Sequence, residues 1–135
     1  MKSCLEERLM EQIYAAGLPL PKTEFRFAPP RLWRADMIFD LQRVIVEVQG
    51  GTWLRIGHCS GKQYQSDCDK LFEAQMMGYL VVWVTGDEIG RTVRGVWVPD
   101  SRAITKIRRA LENGPKRLRR EVCISGREAP EGTDP

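Results

Sequence analysis

Hydrophobic positions change period several times along the chain, and each change predicts an element. Leu5, Leu9, Ile13 and Ala16 fall at steps of four and three, which makes one apolar face on a helix from about Cys4 to Ala16. Gly17 and Pro19 stop that helix, and Pro19 with Pro21 forces an extended connection. Thr23 to Phe27 alternates polar and apolar residues, the period of a strand, and Pro29 with Pro30 ends it. Leu32 to Asp40 is a second strand candidate and Arg43 to Gln49 a third. The third carries Val44, Ile45, Val46 and Val48, so both of its faces are apolar. Such a strand belongs in the middle of a sheet with helices over it.

Glycines deny regular structure to the stretch from Gly50 to Lys62, which nevertheless carries Trp53, Arg55, His58 and Lys62. A long loop of that content is more often functional than idle. A helix from about Gln63 to Met77 follows, with Tyr64, Leu71, Phe72 and Met76 apolar and Gly78 at its C-terminal cap. Tyr79 to Thr85 reads as a second strand buried on both faces. Gly86 to Pro99 shows no usable period. Ser101 starts a last helix with Ile104, Ile107 and Leu111 facing inward, and Asn113-Gly114-Pro115 ends it. From Gly126 onward the chain is rich in Gly, Pro and acid, the composition of a frayed tail. The order is helix, three strands, helix, strand, helix. It predicts a single α/β domain over residues 1–125, a central mixed β-sheet flanked by helices, with a flexible tail over 126–135.

Length and composition agree with this picture. At 135 residues there is room for one domain and one core. Hydrophobic residues are 42% and charged residues 29%, the balance of a globular chain. The longest apolar run, Tyr79 to Val84, is far too short to cross a bilayer, so no membrane span is expected. Acidic residues stand at Glu6 and Glu7 where a signal peptide needs apolar ones, so a cytoplasmic location is expected. Cys4, Cys59, Cys68 and Cys123 form no Cys-x-x-Cys pair, and reduced, unrelated thiols are expected in that compartment.

Charge changes the picture through its distribution. Lys plus Arg number 21 against 18 Asp plus Glu, a net +3 that alone does not argue for a polyanion. Yet Lys106, Arg108, Arg109, Lys116, Arg117, Arg119 and Arg120 crowd the last helix and its extension. Arg26, Arg31, Arg34, Arg43 and Arg55 gather in the middle of the chain. Such surfaces displace counterions from a phosphate backbone, although a basic run is also often only a solvated face. No helix-turn-helix or zinc-finger pattern is present, so shape rather than base sequence would be read.

The candidate chemistry lies in the sheet. Asp36 falls inside the second strand and Glu47 inside the third, within Val44-Ile45-Val46-Glu47-Val48. Acids are poor strand formers, and a carboxylate among apolar residues is costly unless a partner or a metal neutralises it. Two carboxylates on adjacent strands suit a hard divalent cation such as Mg²⁺. Gln49, two residues beyond Glu47, points to the same face. Asp67, Lys70 and Ala74 share one face of the following helix. The plainer reading of Asp36 and Glu47 is solvated ion pairs with Arg34 and Arg43. For Asp67 and Lys70 it is a surface ion pair.

Asp36, ten intervening residues, and then Glu47-Val48-Gln49 resemble the bipartite motif of the PD-(D/E)XK nuclease superfamily. Trp33-Arg34-Ala35-Asp36, Gly50-Gly51-Thr52-Trp53 and Asp67-Cys68-Asp69-Lys70 extend the likeness to small phage and bacterial members. That group includes Holliday-junction resolvase-like endonucleases and relatives of the very-short-patch repair endonucleases. The resemblance implies a restriction-endonuclease-like core and Mg²⁺- or Mn²⁺-dependent hydrolysis of DNA. Asp36, Glu47 and the Val48 carbonyl would hold the metal, and Glu7, with Glu11 as the runner-up, would complete the site. The superfamily usually has Lys where this chain has Gln49, and Gln brings no charge to the reacting phosphate. Lys70, Lys62 or a further metal held partly by Asp67 would have to supply it.

DNA contacts would fall to Arg34, Trp53, Arg55, His58, Lys62, Arg108, Arg109, Arg117, Arg119 and Arg120. The implied substrate is branched DNA. Because one domain of this size has one site, symmetric cuts in a four-way junction imply a homodimer. A monomeric mismatch or nicking endonuclease, a catalytically weak DNA-binding module and a component of a larger particle are the alternatives.

Overall fold

A computed structural model describes residues 3–49 and 61–114. Helix α1 (Cys4–Ala15) opens with a capping box in which Ser3 and Glu6 satisfy each other's backbone N–H groups. Strands β1 (Lys22–Arg26), β2 (Arg34–Phe39) and β3 (Val44–Gln49) follow as an antiparallel meander. Helix α2 (Gly61–Met76) then crosses to β4 (Leu80–Thr85), which pairs parallel with β3. The four-stranded sheet has the order β1-β2-β3-β4, so it is mixed, with β4 at one edge.

The chain continues through a one-turn helix α3 (Gly86–Ile89) into the hairpin β5 (Gly90–Val93) and β6 (Val96–Pro99), a separate two-stranded sheet. Helix α4 spans 102–114. The stretch from Gly86 to Pro99 carries no sequence period for a physical reason. Its pieces are four residues each, too short to display a period.

Two cores lie on the two faces of the sheet. On one, Met37, Phe39, Val44, Val46 and Val84 pack with Leu9 and Ile13 of α1, Ile89 of α3 and Ala103, Ile107 and Ala110 of α4. On the other, Ile38 and Ile45 pack with Phe27, Ala74 of α2 and Tyr79. Thus β3 is buried on both sides, as its valines and isoleucine require, and the α/β fold with a flanked mixed sheet is the one expected from sequence. No helix among the described residues is long and apolar enough to cross a membrane.

Candidate active site

The strand pairing brings the two acids together. Met37 lies opposite Val46 in the β2–β3 register, and one step further along that register sets Asp36 opposite Glu47. Val48 N–H donates to Asp36 Oδ2 at 2.8 Å, so the carboxylate substitutes for a ladder acceptor where the pairing ends. Asp36 and Glu47 stand near enough for each carboxyl to feel the other's charge. Glu47 is the buried charged residue among those described, at 8% exposure.

The helices complete the group. Lys70 of α2 places Nζ 2.5 Å from Glu47 Oε1, and both side chains are largely buried. From α1, Glu6 brings its carboxyl within electrostatic reach of Asp36, while its Oε2 accepts from Ser3 N–H at 2.6 Å. Glu6, Asp36, Glu47 and Lys70 therefore form a continuous line drawn from four elements. Glu47 and Gln49 stand towards the C-terminal end of β3, whose parallel neighbour β4 ends level with it at Thr85. In α/β sheets the carboxyl ends of parallel strands are where ligands bind.

Charge is unbalanced along this line. Three carboxyl groups share one ammonium among the described residues. Burial, followed by the charge of Glu47, pushes the Asp36 carboxyl up from 3.8 to about 6. Burial, with a smaller contribution from Asp36, also raises Glu6. Mutual repulsion of this kind is relieved by a proton or by a cation. The donors are hard oxygens, which suit Mg²⁺ or Mn²⁺, and Mg²⁺ is commonly held by one or two carboxylates with waters filling its shell. The carboxyls lie in a row and do not form a cage: among the described residues no group of three or more His, Cys, Asp or Glu is gathered tightly enough to hold a metal by itself.

Several expected residues stand elsewhere. Glu7 is exposed, and it is Glu6 that α1 turns towards Asp36. The reason is helical phase: Glu6 is three residues before the buried Leu9, on the same face, whereas Glu7 is two before it and turned away. The spacing Ser3-x-x-Glu6 is a legible capping box that could have singled out Glu6. Glu11 is also exposed. Arg34 and Arg43 form no ion pair with either strand acid. Arg43 donates instead to Tyr79 Oη at 3.0 Å and to the Met77 carbonyl. Asp67 is exposed and accepts from Gln63 at 3.1 Å.

Lys62 sits exposed in the first turn of α2, a helix that begins at Gly61 rather than Gln63. Arg34, Arg108 and Arg109 are exposed. Trp53, Arg55, His58, Arg117, Arg119 and Arg120 lie outside the described residues, as does the expected tail. Comparison with known proteins gave no match: no family model, curated protein or solved structure is similar to this chain.

Proposed function

We propose that this chain is a metal-dependent DNA endonuclease selective for branched DNA, with a Holliday-junction resolvase as the sharpest form. The observation that carries the reading is the side-chain line Glu6–Asp36–Glu47–Lys70, which joins carboxyls and a lysine at the carboxyl end of the parallel strand pair. Asp36 and Glu47 would hold Mg²⁺ or Mn²⁺ with the Val48 carbonyl, and Glu6, not Glu7, would complete the site. A bound ion would supply polarisation of a phosphoryl oxygen and acidification of a water.

The chain's own residues account for the rest. Asp36 is oriented by the Val48 amide, so its carboxylate has a fixed direction. The Lys70 ammonium stands on Glu47 and supplies the positive charge that Gln49 lacks. The Gln49 amide can orient a water or a phosphate oxygen from the same face as Glu47. Arg108 and Arg109 of α4 and Arg34 of β2 offer exposed cations to the backbone phosphates. Resolution of a four-way junction needs two such sites in fixed relation, hence a homodimer.

The test is incubation of the full chain with labelled four-way junction, flap, mismatched and linear duplex DNAs. Cleavage should require Mg²⁺ or Mn²⁺, stop in chelator, and disappear in Glu47→Gln while DNA binding persists. No cleavage of any of these DNAs, or full activity in Glu47→Gln, would overturn the assignment.

A further inference from the structure

The parallel pairing of β3 and β4 sets Glu47 opposite Trp83 and Gln49 opposite Thr85. Residues opposite one another across a ladder share a face, so Asp36, Glu47 and Trp83 make a row over three adjacent strands. Neighbouring strands lie about 4.8 Å apart, which puts the indole next to the acids. Trp83 is 48% exposed and belongs to neither core, although Val81 and Val84 on the same strand are packed into them. β4 is an edge, and among the described residues no further strand pairs beyond it.

The backbone of Trp83 is tied to α4, which packs on the opposite face of the sheet. Lys106 Nζ donates to the Trp83 carbonyl at 3.2 Å and pairs with Glu88 at 2.8 Å. Along the β4 edge, towards the face that α4 covers, runs a cleft of about 400 Å³ lined by Leu80, Trp83, Lys106, Arg109 and Asn113 among others. Arg109 is exposed and makes no ion pair among the described residues. Arg109 gives this edge a cation that suits an anionic occupant.

We propose that Trp83 is a stacking platform for a nucleobase with one open face, and that Arg109 holds the phosphate backbone of the same strand. This rests on the acid line being the cleavage centre, and it deepens that reading by naming the feature of DNA recognised. An indole can stack on a base only where no neighbouring base already covers it. Continuous duplex offers no such base near the cut, whereas the nucleotide at a flap or junction branch point does. Selectivity for discontinuous DNA follows from the position of one side chain.

The experiment compares the wild-type chain with Trp83→Ala, Trp83→Phe and Arg109→Gln. Each is given a flap, a four-way junction and a continuous duplex of matched sequence, with 2-aminopurine beside the cleavage position. Fluorescence is read with Ca²⁺ and cleavage with Mg²⁺. Trp83→Ala should lower the ratio of branched to duplex cleavage about tenfold and abolish quenching of the probe, and Trp83→Phe should restore most of both. Arg109→Gln should weaken binding and flatten its salt dependence.

Equal losses on all three DNAs, or quenching unchanged in Trp83→Ala, would overturn the stacking site. Cleavage by a wild-type chain whose quenching does not depend on Trp83 would leave the catalytic reading standing alone. Quenching through Trp83 without any cleavage would do the reverse.

Discussion

Asp36→Asn should make the metal-free protein more stable while destroying its activity. The sign follows from linkage. The Asp36 carboxyl is raised from 3.8 to about 6 by burial and by Glu47, so the folded state holds that proton more tightly than the unfolded chain. Ionisation therefore opposes folding. The cost is absent below the unfolded value, grows as pH climbs through about 6, and is complete above it. A shift of this size corresponds to about 3 kcal/mol if taken whole, and partial solvent access to Asp36 reduces it to about 1–2 kcal/mol.

Asparagine removes the charge and keeps an oxygen for the Val48 N–H. In chelator at about pH 8, the variant should thus melt some ~3–8 °C above the wild type, with the gap closing towards about pH 4. Added Mg²⁺ should then stabilise the wild type by mass action and leave the variant nearly unmoved. Scanning calorimetry at the two pH values, with and without Mg²⁺, measures all four quantities. A variant that melts below the wild type at the higher pH, or gains as much from Mg²⁺, would refute the picture of two crowded carboxyls awaiting a cation.

Lys70→Ala leaves Glu47 buried without its cation, and should cost about 3 kcal/mol in urea unfolding. It should also slow cleavage far more than Lys62→Ala, because Lys62 is exposed at the start of α2; the opposite order would move the catalytic charge to Lys62. Glu6→Gln should weaken Mg²⁺ activation measurably, whereas Glu7→Gln should match the wild type in a metal titration; equal effects would disconnect α1 from the site. Gly90→Ala would set a methyl group 2.4 Å from the Trp97 ring and 2.7 Å from the Val98 carbonyl. It should cost about 1–3 kcal/mol in a thermal melt, and an unchanged melting temperature would show that the hairpin yields freely.

Much of this site was legible because its residues violate local rules. Glu47 stands out of Val44-Ile45-Val46-Glu47-Val48 since nothing in strand propensity calls for an acid there, and its burial to 8% bears that out. The α1 stripe of Leu9 and Ile13 was equally plain. What sequence could not show was pairing at a distance. Whether Arg34, Arg43 or Lys70 would meet the acids depends on how α2 lies over the sheet. That choice is made by Ala74 and Tyr79 packing against Ile38 and Ile45. The β5–β6 hairpin was hidden for a different reason. Gly90 is held against Trp97, and Arg8 of α1 stacks over that ring at 4.5 Å, so the hairpin depends on tertiary contacts that leave no local pattern.

The exchange of a strand lysine for Gln49 alters how the proposed centre would assemble. A lysine two residues past Glu47 on β3 would hold its charge on the same rigid strand as the acid. Lys70 instead comes from α2, and its ammonium rests directly on Glu47. On the proposed reading it occupies one of the oxygens that an incoming cation would use. Cation binding and release of the ammonium would then compete at one carboxylate, and Lys70 would supply its charge to a phosphate beside Glu47. Such an arrangement keeps Glu47 neutralised before the cation arrives, which a buried acid requires. It also links the appearance of the positive charge to the loading of the site. Asp36, by contrast, meets no cation among the described residues, and its raised carboxyl would register the ion's arrival as a change in stability with pH.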